Sequence, residues 1–445
     1  MYDVIYLGAG PGGYIGAVTS ASMGKKVALV ERDRVGGVCV NSGCIPMDSA
    51  LASVGFQLYS KNSAFEKPAS LNFSMNIQRA REIASKTREL AEGLLGALGV
   101  DIIKGEGKLS DKAVVVGNQR IEGENVVVAT GARYDLSRAP NVNPKKIITA
   151  NNFWSLSEPP EKVVLLQGGI PSIRGIELAQ LLSSSGSSVT VIDDDEKLFP
   201  QFDTELTDAL MSSLQEAGLT FRMKSKVLSL QDDTIHYEYQ NEEHEDRFDA
   251  LILSHAWLPN TENIGLSELG VSMTNGFINI DENCRTNLPW LYAVGEVTSI
   301  KGATRAMYMG RAAALTIAGK KIKVNQGQLP SGIFTIPQFA QVGLSEEAAR
   351  KSYGDVVVGR SDLGFNEKAM AVGANSGLTK LIFDKRGNLL GGGLVAYDAE
   401  EIISQLAQAL RLGATAEDLA FSGYEHATIS ESVQDAALKA LNSML

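Results

Sequence analysis

Three cysteines and four histidines in 445 residues leave little room for several classes of chemistry. So few cysteines cannot build the disulfide framework of a small secreted domain, and a reducing compartment would not keep a purely structural pair oxidised. No further Cys or His stands beside the closest pair, Cys39 and Cys44, to complete a metal site, and none is expected. Long hydrophobic runs are also missing, since none approaches the roughly 18 residues of a membrane span. The N-terminal "MYDVIYLGAGPGG" has neither the basic nor the apolar region of a signal peptide, so a cytoplasmic protein is expected. Positive charge is outweighed, with 41 Lys and Arg against 52 Asp and Glu and a net charge of −11. With no basic patch to neutralise phosphates, neither nucleic acid nor an anionic membrane is expected as a partner.

What is present is a chain with a 44% hydrophobic composition, long enough for several domains with real cores. Residues 3–31 read strand, glycine loop, helix, strand: "DVIYLGAGPGG", "YIGAVTSASMGKK", "VALVE". The stretch "QRAREIASKTRELAEGLLGAL" (78–98) is a helix of mixed charge with an apolar stripe. A second unit, from "EKVVLLQGG" to "SVTVIDDD", duplicates the first and is flanked by "VVVATG" and "NLPWLYAVGEV". From about Gly332 the pattern changes to that of an antiparallel sheet with helices. The expected fold is α/β, with two Rossmann-like dinucleotide-binding domains, the second inserted in the first, and a C-terminal α+β domain. Boundaries fall at 1–145 with 266–328, at 146–265 and at 329–445.

Gly8, Gly10 and Gly13 form G-x-G-x-x-G after a strand and at a helix start, with Glu31 closing the next strand. Glycines there let the backbone approach a pyrophosphate, the helix N-terminus offers amide donors, and the acid takes ribose hydroxyls. A merely tight structural turn is the competing explanation. The cysteines sit in "GGVCVNSGCIPMD". A regular helix holds residues five apart beyond the usual Cα separation of a disulfide, so bonding them needs a distortion that Asn41 and Gly43 can accommodate. Such a bond near a helix N-terminus is readily reduced, which makes redox chemistry the leading reading over a staple or two unconnected buried thiols.

Through "GAGPGG", "GGVCVNSGCIP", "VVVATG", "KLFPQFDTEL", "PNT", "LYAVGEV", "PQFAQVGLSE" and "HATISES", nearly the whole chain resembles the flavoprotein pyridine nucleotide–disulfide oxidoreductases. The tail "ISESVQDAALKAL" resembles the dihydrolipoamide dehydrogenases more than the glutathione reductases, and "LNSML" lacks the terminal cysteine pair of mercuric reductases. The resemblance implies FAD in the first domain, NAD in the inserted one and a homodimer through the C-terminal domain. It places Gly8, Gly10, Gly13, Glu31, Gly37, Thr130, Gly131, Glu296, Ala303 and Thr304 at FAD, and Gly175, Glu177 and Asp193 at NAD. Cys44 becomes the thiol beside the flavin and Cys39 its partner in a redox-active disulfide, exchanging with a dithiol substrate such as a lipoyl group on a carrier protein. His426 becomes the acid/base, held by Glu431 and reaching the partner subunit's cysteines. Thr428 and Glu431 also match a capping box, the competing explanation for that glutamate. Ala427 replaces the family's proline, and Tyr424 a second histidine.

Other departures gather on the nicotinamide side. In "LLQGGIPSIRGIELA", Ile170 and Ser172 occupy glycine positions unless the loop is about three residues longer, and Pro171 obstructs close backbone approach. Asp193, Asp194 and Asp195 repel a 2′-phosphate, which disfavours NADP, while Ala256, Trp257 and Leu258 replace the usual glycine and arginine. Val38 and Glu296 stand for the family's threonine and aspartate, and Asp48 for its lysine, the cation paired with the glutamate at 177. Two facing carboxylates repel or hold a proton. Arg174, one turn before Glu177, is the candidate replacement cation. Three functions stay open: an FAD-dependent dithiol oxidoreductase oxidising a dihydrolipoyl group and passing electrons to NAD, a related disulfide oxidoreductase with another acceptor or thiol substrate, and a non-catalytic FAD-binding subunit.

Overall fold

From Val4 to Leu7 every side chain is buried, and successive residues face opposite ways. Val4 and Tyr6 join Leu29, Val127 and Met309 on one face, while Ile5 and Leu7 join Val30, Val126 and Leu291 on the other. Burial on both faces belongs to a parallel sheet covered by helices, which is why these strands read as continuous apolar runs. The computed structural model describes residues 1–445 apart from 63, 65, 168–172, 255–256, 321, 323 and 445. The chain divides into two units: Met1–Pro46, Arg79–Asp135 and Trp257–Gln326 form one, and Met47–Gln78, Leu136–Ala256 and Gly327–Leu445 the other.

In the first unit, Tyr2–Leu7 pairs in parallel with Val27–Glu31 and with Gln119–Val128. Asp101–Lys104 and Leu291–Ala293 extend the parallel order on either side, and Gly107–Leu109 and Ala113–Val116 add an antiparallel edge. The helix Pro11–Ser22 starts with a proline whose missing N–H is no loss at a helix start. It packs so closely on the helix Ala303–Ile317 that a Cβ on Gly310 would fall 2.1 Å from the Gly12 carbonyl oxygen. The mixed-charge helix spans Phe73–Ala97.

In the second unit the parallel order is Leu219–Arg222, Ser188–Ile192, Lys162–Leu166, Ala250–Leu253, Ile147–Ile148. An antiparallel sheet follows after residue 330, in the order Ser331–Ile333, Gln338–Gly343, Leu389–Ala396, Leu378–Phe383, Val357–Asp362. The helices Ala399–Leu412 and Glu431–Asn442 cover it through Ile402, Ile403, Leu406, Val433 and Ala437. The α/β class expected from the sequence is the one observed. Among the described residues no helix is long and apolar enough to cross a membrane.

Between the parallel and antiparallel sheets of this unit sits a buried cation. Lys380 Nζ lies 2.8 Å from Asp203, 2.9 Å from Glu205 and 2.8 Å from Glu346. Burial alone would push its ammonium pKa down, but the three carboxylates reverse the direction and raise it. Lys380→Met leaves those carboxylates crowded around an apolar side chain. A loss of about 3–5 kcal/mol in unfolding free energy is expected, read as a lower midpoint in urea.

Candidate active site

The first glycine loop is built for close approach. Gly8 has φ +105°, which glycine tolerates, and a Cβ there would sit 2.4 Å from the Ala129 carbonyl oxygen. A Cβ on Gly13 would lie 1.9 Å from the Gly8 oxygen, so that glycine lets helix and strand meet. Glu31 accepts hydrogen bonds from the Ala9 N–H (2.7 Å) and the Asp33 N–H (2.8 Å), fixing its carboxylate beside the loop. Gly37, at φ +57°, passes so near Gly10 that a Cβ would come within 2.7 Å of its Cα. Thr130 donates its hydroxyl to the Asn260 carbonyl, and Asn260 returns its amide to the Thr130 carbonyl, each at 2.8 Å, beside Gly131. Glu296 lies in the turn Gly295–Thr298, and its carboxylate is 3.4 Å from the Gly302 N–H that precedes Ala303 and Thr304 at a helix start. A backbone cradle with no room for a Cβ, at the N-terminus of a twelve-residue helix, fits the pyrophosphate of FAD.

The cysteines occupy an interrupted helix. Gly37–Asn41 forms one short piece, Ser42 and Gly43 break it, and Cys44 opens the helix Cys44–Ser60. The Gly43 N–H reaches back to the Val38 carbonyl at 2.6 Å. Asn41 donates to the carbonyls of Val35 and Gly37 at 2.9 Å each, and its side-chain oxygen accepts from Arg88 at 3.1 Å. The distortion expected at Asn41 and Gly43 is therefore where the helix breaks. Cys39 and Cys44 are both half-buried. Cys44 stands at the positive end of a long helix, where negative charge on sulfur is stabilised.

One turn after Cys44 is Asp48, exposed on the same helix. Glu177 is 0% exposed on the helix Ile173–Ser184, and one carboxylate oxygen binds Arg174 at 2.6 Å while the other accepts the Phe334 N–H at 3.0 Å. Burial raises the Glu177 pKa, Arg174 and the Phe334 amide pull it back, and the charge of Asp48 adds to the rise. The pairing of Arg174 with Glu177 is the one expected from their spacing.

His426 is 75% exposed, and its Nδ1 lies 3.1 Å from Glu431. The other Glu431 oxygen accepts the Thr428 N–H at 2.8 Å, as a capping box requires, but Thr428 gives its hydroxyl to the Glu425 carbonyl instead of completing the box. Glu431 thus contacts both the His426 ring and the Thr428 N–H. The hydrogen bond and charge of Glu431 raise the His426 pKa, with smaller contributions from Glu367 and Glu425. The Thr428 amide and His426 lower that of Glu431. Glu431→Gln should move the His426 titration to lower pH, checked by following the imidazole ring protons by NMR against pH.

The second nucleotide-type unit is described on either side of its loop, by the strand Lys162–Leu166 and the helix Ile173–Ser184. Ile170, Pro171, Ser172 and Ala256 lie outside the described residues. Gly175 keeps the packing role, because a Cβ would meet the Ser254 hydroxyl at 2.3 Å. Asp193 is 0% exposed, and its carboxyl is pushed up to about 7 by burial and by its acidic neighbours Asp195 and Asp194. Trp257 and Leu258 lie on a strand paired with Ala132–Tyr134, with the Trp257 ring 4.6 Å from Tyr134. At the end of the strand Ser188–Ile192, Asp193 is therefore sealed, while its neighbour Asp194 is exposed.

Two structural partners escaped the motifs. Phe334 holds Glu177, and Gln180 on the next turn exchanges two hydrogen bonds with the backbone of Ile336, at 2.6 and 2.8 Å. Asn260 in "PNT" had a motif but no role, and its latch on Thr130 supplies one.

Residues 2–310 match the family model described as "Pyridine nucleotide-disulphide oxidoreductase", and residues 329–437 the dimerisation domain of the same family. A dihydrolipoyl dehydrogenase of Chlorobaculum tepidum is 33% identical over 461 residues, covering 100% of this chain and 98% of the relative. One from Bacillus subtilis is 31% identical over 462 residues, covering 99% and 97%. Two solved structures share the fold. LpdA from Mycobacterium tuberculosis has a TM-score of 0.89 at 22% identity, and the HOCl-induced flavoprotein disulfide reductase RclA from Escherichia coli has 0.85 at 23%; each alignment covers 98% of this chain and 99% of the other. On the match of both domains and of the full-length relatives, the chain belongs to the pyridine nucleotide-disulphide oxidoreductases, flavoproteins that use FAD.

Proposed function

We propose that this protein oxidises a dihydrolipoyl group, on a carrier protein or as a small dithiol, through a Cys39–Cys44 disulfide and FAD, with NAD as the acceptor. The observation that carries it is the interrupted helix, which holds two half-buried cysteines on either side of a break with the second at a helix N-terminus. Full-length similarity to dihydrolipoyl dehydrogenases supports the substrate. In the exchange, a substrate thiolate attacks Cys39, the Cys39–Cys44 bond breaks, and the electron pair leaves on Cys44. The second substrate thiolate then attacks the substrate sulfur of the mixed disulfide, closing the cyclic lipoyl disulfide and expelling Cys39 as a thiolate, which takes up a proton released by the dithiol. His426, contributed by the other subunit of a homodimer, takes the substrate proton, with Glu431 fixing the imidazole tautomer. FAD, when held by Gly8, Gly10, Gly13, Glu31 and the first turn of Ala303–Ile317, supplies a two-electron acceptor.

A second reading, with an acceptor other than NAD, is favoured by the sealed Asp193. Purified FAD-loaded protein given dihydrolipoamide and NAD separates the two. NADH formation supports the first. Flavin reduction by the dithiol that NAD cannot reverse, but another oxidant can, supports the second. No flavin reduction by dihydrolipoamide defeats both.

A further inference from the structure

At the carboxyl ends of the parallel strands Lys162–Leu166, Ser188–Ile192 and Leu219–Arg222, several buried polar atoms have no partner among the described residues. Leu166 is paired with Ile192, and the Gln167 N–H continues the ladder to the Ile192 carbonyl at 2.9 Å. Leu166 and Ile192 share one apolar face, so Gln167 and Asp193, one residue further along, stand together on the other. Gln167 is 3% exposed, and neither its amide oxygen nor its amide nitrogen has a hydrogen-bond partner. Asp193 is 0% exposed; one carboxylate oxygen accepts the Asp195 N–H at 3.0 Å and the other accepts nothing. Burial above all raises the Asp193 pKa, and the Gln167 side chain is near enough to be among the groups that pull it back. Asp195 also has a buried carboxylate oxygen without a partner. Ser225, 1% exposed, gives its N–H to the Asp193 carbonyl at 2.8 Å and leaves its hydroxyl unpaired. Unpaired polar atoms cost free energy when buried, and so many at one strand edge call for a ligand that satisfies them.

Asp193, Asp194 and Asp195 each bring a carboxylate oxygen within 4.8 Å of the others. Among the described residues no Lys or Arg pairs with any of the three. Lys224, past the end of the neighbouring strand, binds Glu196 at 2.7 Å, and Arg222 lies over the Tyr239 ring at 5.1 Å. We propose that Asp193, Asp194 and Asp195, with the amide oxygen of Gln167, bind a hard divalent cation at this sheet edge, Ca²⁺ in preference to Mg²⁺. An amide turned by half a revolution offers its oxygen where its NH₂ was, so Gln167 can serve as a ligand without leaving its place. All four donors are oxygens, which suits these ions and disfavours metals that prefer sulfur or imidazole. Ca²⁺ accepts carboxylates and amide carbonyls in flexible geometry, whereas Mg²⁺ demands a near-octahedral set and keeps several waters. Asp194 is exposed, which leaves one side of the site open to the entering ion and to bound water. The inference is independent of the dithiol chemistry and of the acceptor that reoxidises the flavin.

The test is calorimetric titration of the FAD-loaded full-length protein, freed of metal by dialysis against EDTA, with CaCl₂ and separately with MgCl₂ at about 0.15 M KCl, where surface attraction is screened. One site per chain is expected, with a Kd for Ca²⁺ on the order of 10⁻⁵–10⁻³ M and a weaker one for Mg²⁺. Asp194→Asn, at an exposed position, should weaken Ca²⁺ by about tenfold or more, because affinity follows the charge of the ligand set. Gln167→Leu should weaken it by about threefold or more, which loss of surface charge does not explain. Glu243→Gln, an exposed acid on the strand Glu242–Arg247, should leave it unchanged. No saturable uptake of either ion by the wild type overturns the inference, and water then satisfies the buried atoms. An affinity that Asp194→Asn and Gln167→Leu leave unchanged, or that falls equally in Glu243→Gln, overturns it too. Tighter binding of Mg²⁺ overturns the choice of Ca²⁺. If Gln167→Leu does not fold, Gln167→Glu decides: the added carboxylate should tighten Ca²⁺, and an equal or weaker affinity overturns the place of Gln167 in the site.

Discussion

Cys44→Ser should abolish dihydrolipoamide oxidation by more than about a thousandfold while leaving FAD bound. A serine hydroxyl can neither form the disulfide nor leave as a stable anion, and loss of a covalent participant typically removes nearly all of the chemical step. Flavin retention is expected because the cradle of Gly8, Gly13, Gly37 and Glu31 makes its close contacts through backbone and a carboxylate, none of them through Cys44. Flavin content is read from absorbance after gel filtration, and activity from dithiol-dependent flavin reduction. A Cys44→Ser protein that still reduces its flavin with dihydrolipoamide contradicts the cysteine assignment. A wild type that binds FAD but behaves like Cys44→Ser points instead to the non-catalytic subunit.

His426→Gln should slow the same reaction by about 10²–10⁴-fold, the usual contribution of a positioned acid/base. The sign of its pH dependence follows from Glu431. Because the carboxylate raises the His426 pKa, the neutral imidazole that accepts a proton predominates only above that raised value, and activity should climb as pH rises through it. Removing the histidine should flatten that limb. At 75% exposed, the ring is accessible on its own chain, so its substitution should leave the unfolding midpoint nearly unchanged. A loss of activity with an unchanged pH profile would argue that His426 does not carry the proton.

Much of the site can be read locally. The glycine loop, the acid at the end of the next strand and the covering helix follow from short-range periodicity, and the structure assembles them as one βαβ unit. The break between Cys39 and Cys44 was legible because Asn41 and Gly43 are poor continuations of a helix and good partners for orphaned carbonyls. Arg174 with Glu177 was legible because three residues make one helical turn. What stayed hidden depends on distant packing. Phe334 and Ile336 meet Glu177 and Gln180 from more than 150 residues away, and no local pattern announces them. Asp193 reads as an open ribose acid by position, yet folding seals it at 0% exposure and lifts its pKa to about 7. Lys380 looks like an ordinary strand lysine until Asp203, Glu205 and Glu346 converge on it from other elements.

The central claim is that a dithiol delivers electrons to the flavin through Cys39 and Cys44. It is tested most directly by anaerobic titration of the FAD-loaded wild type with dihydrolipoamide, beside Cys44→Ser, watching the long-wavelength region of the spectrum. The account predicts a thiolate–flavin absorbance that grows to one equivalent in the wild type and is absent from the variant. No such absorbance in the wild type, or an equal one in Cys44→Ser, would contradict it.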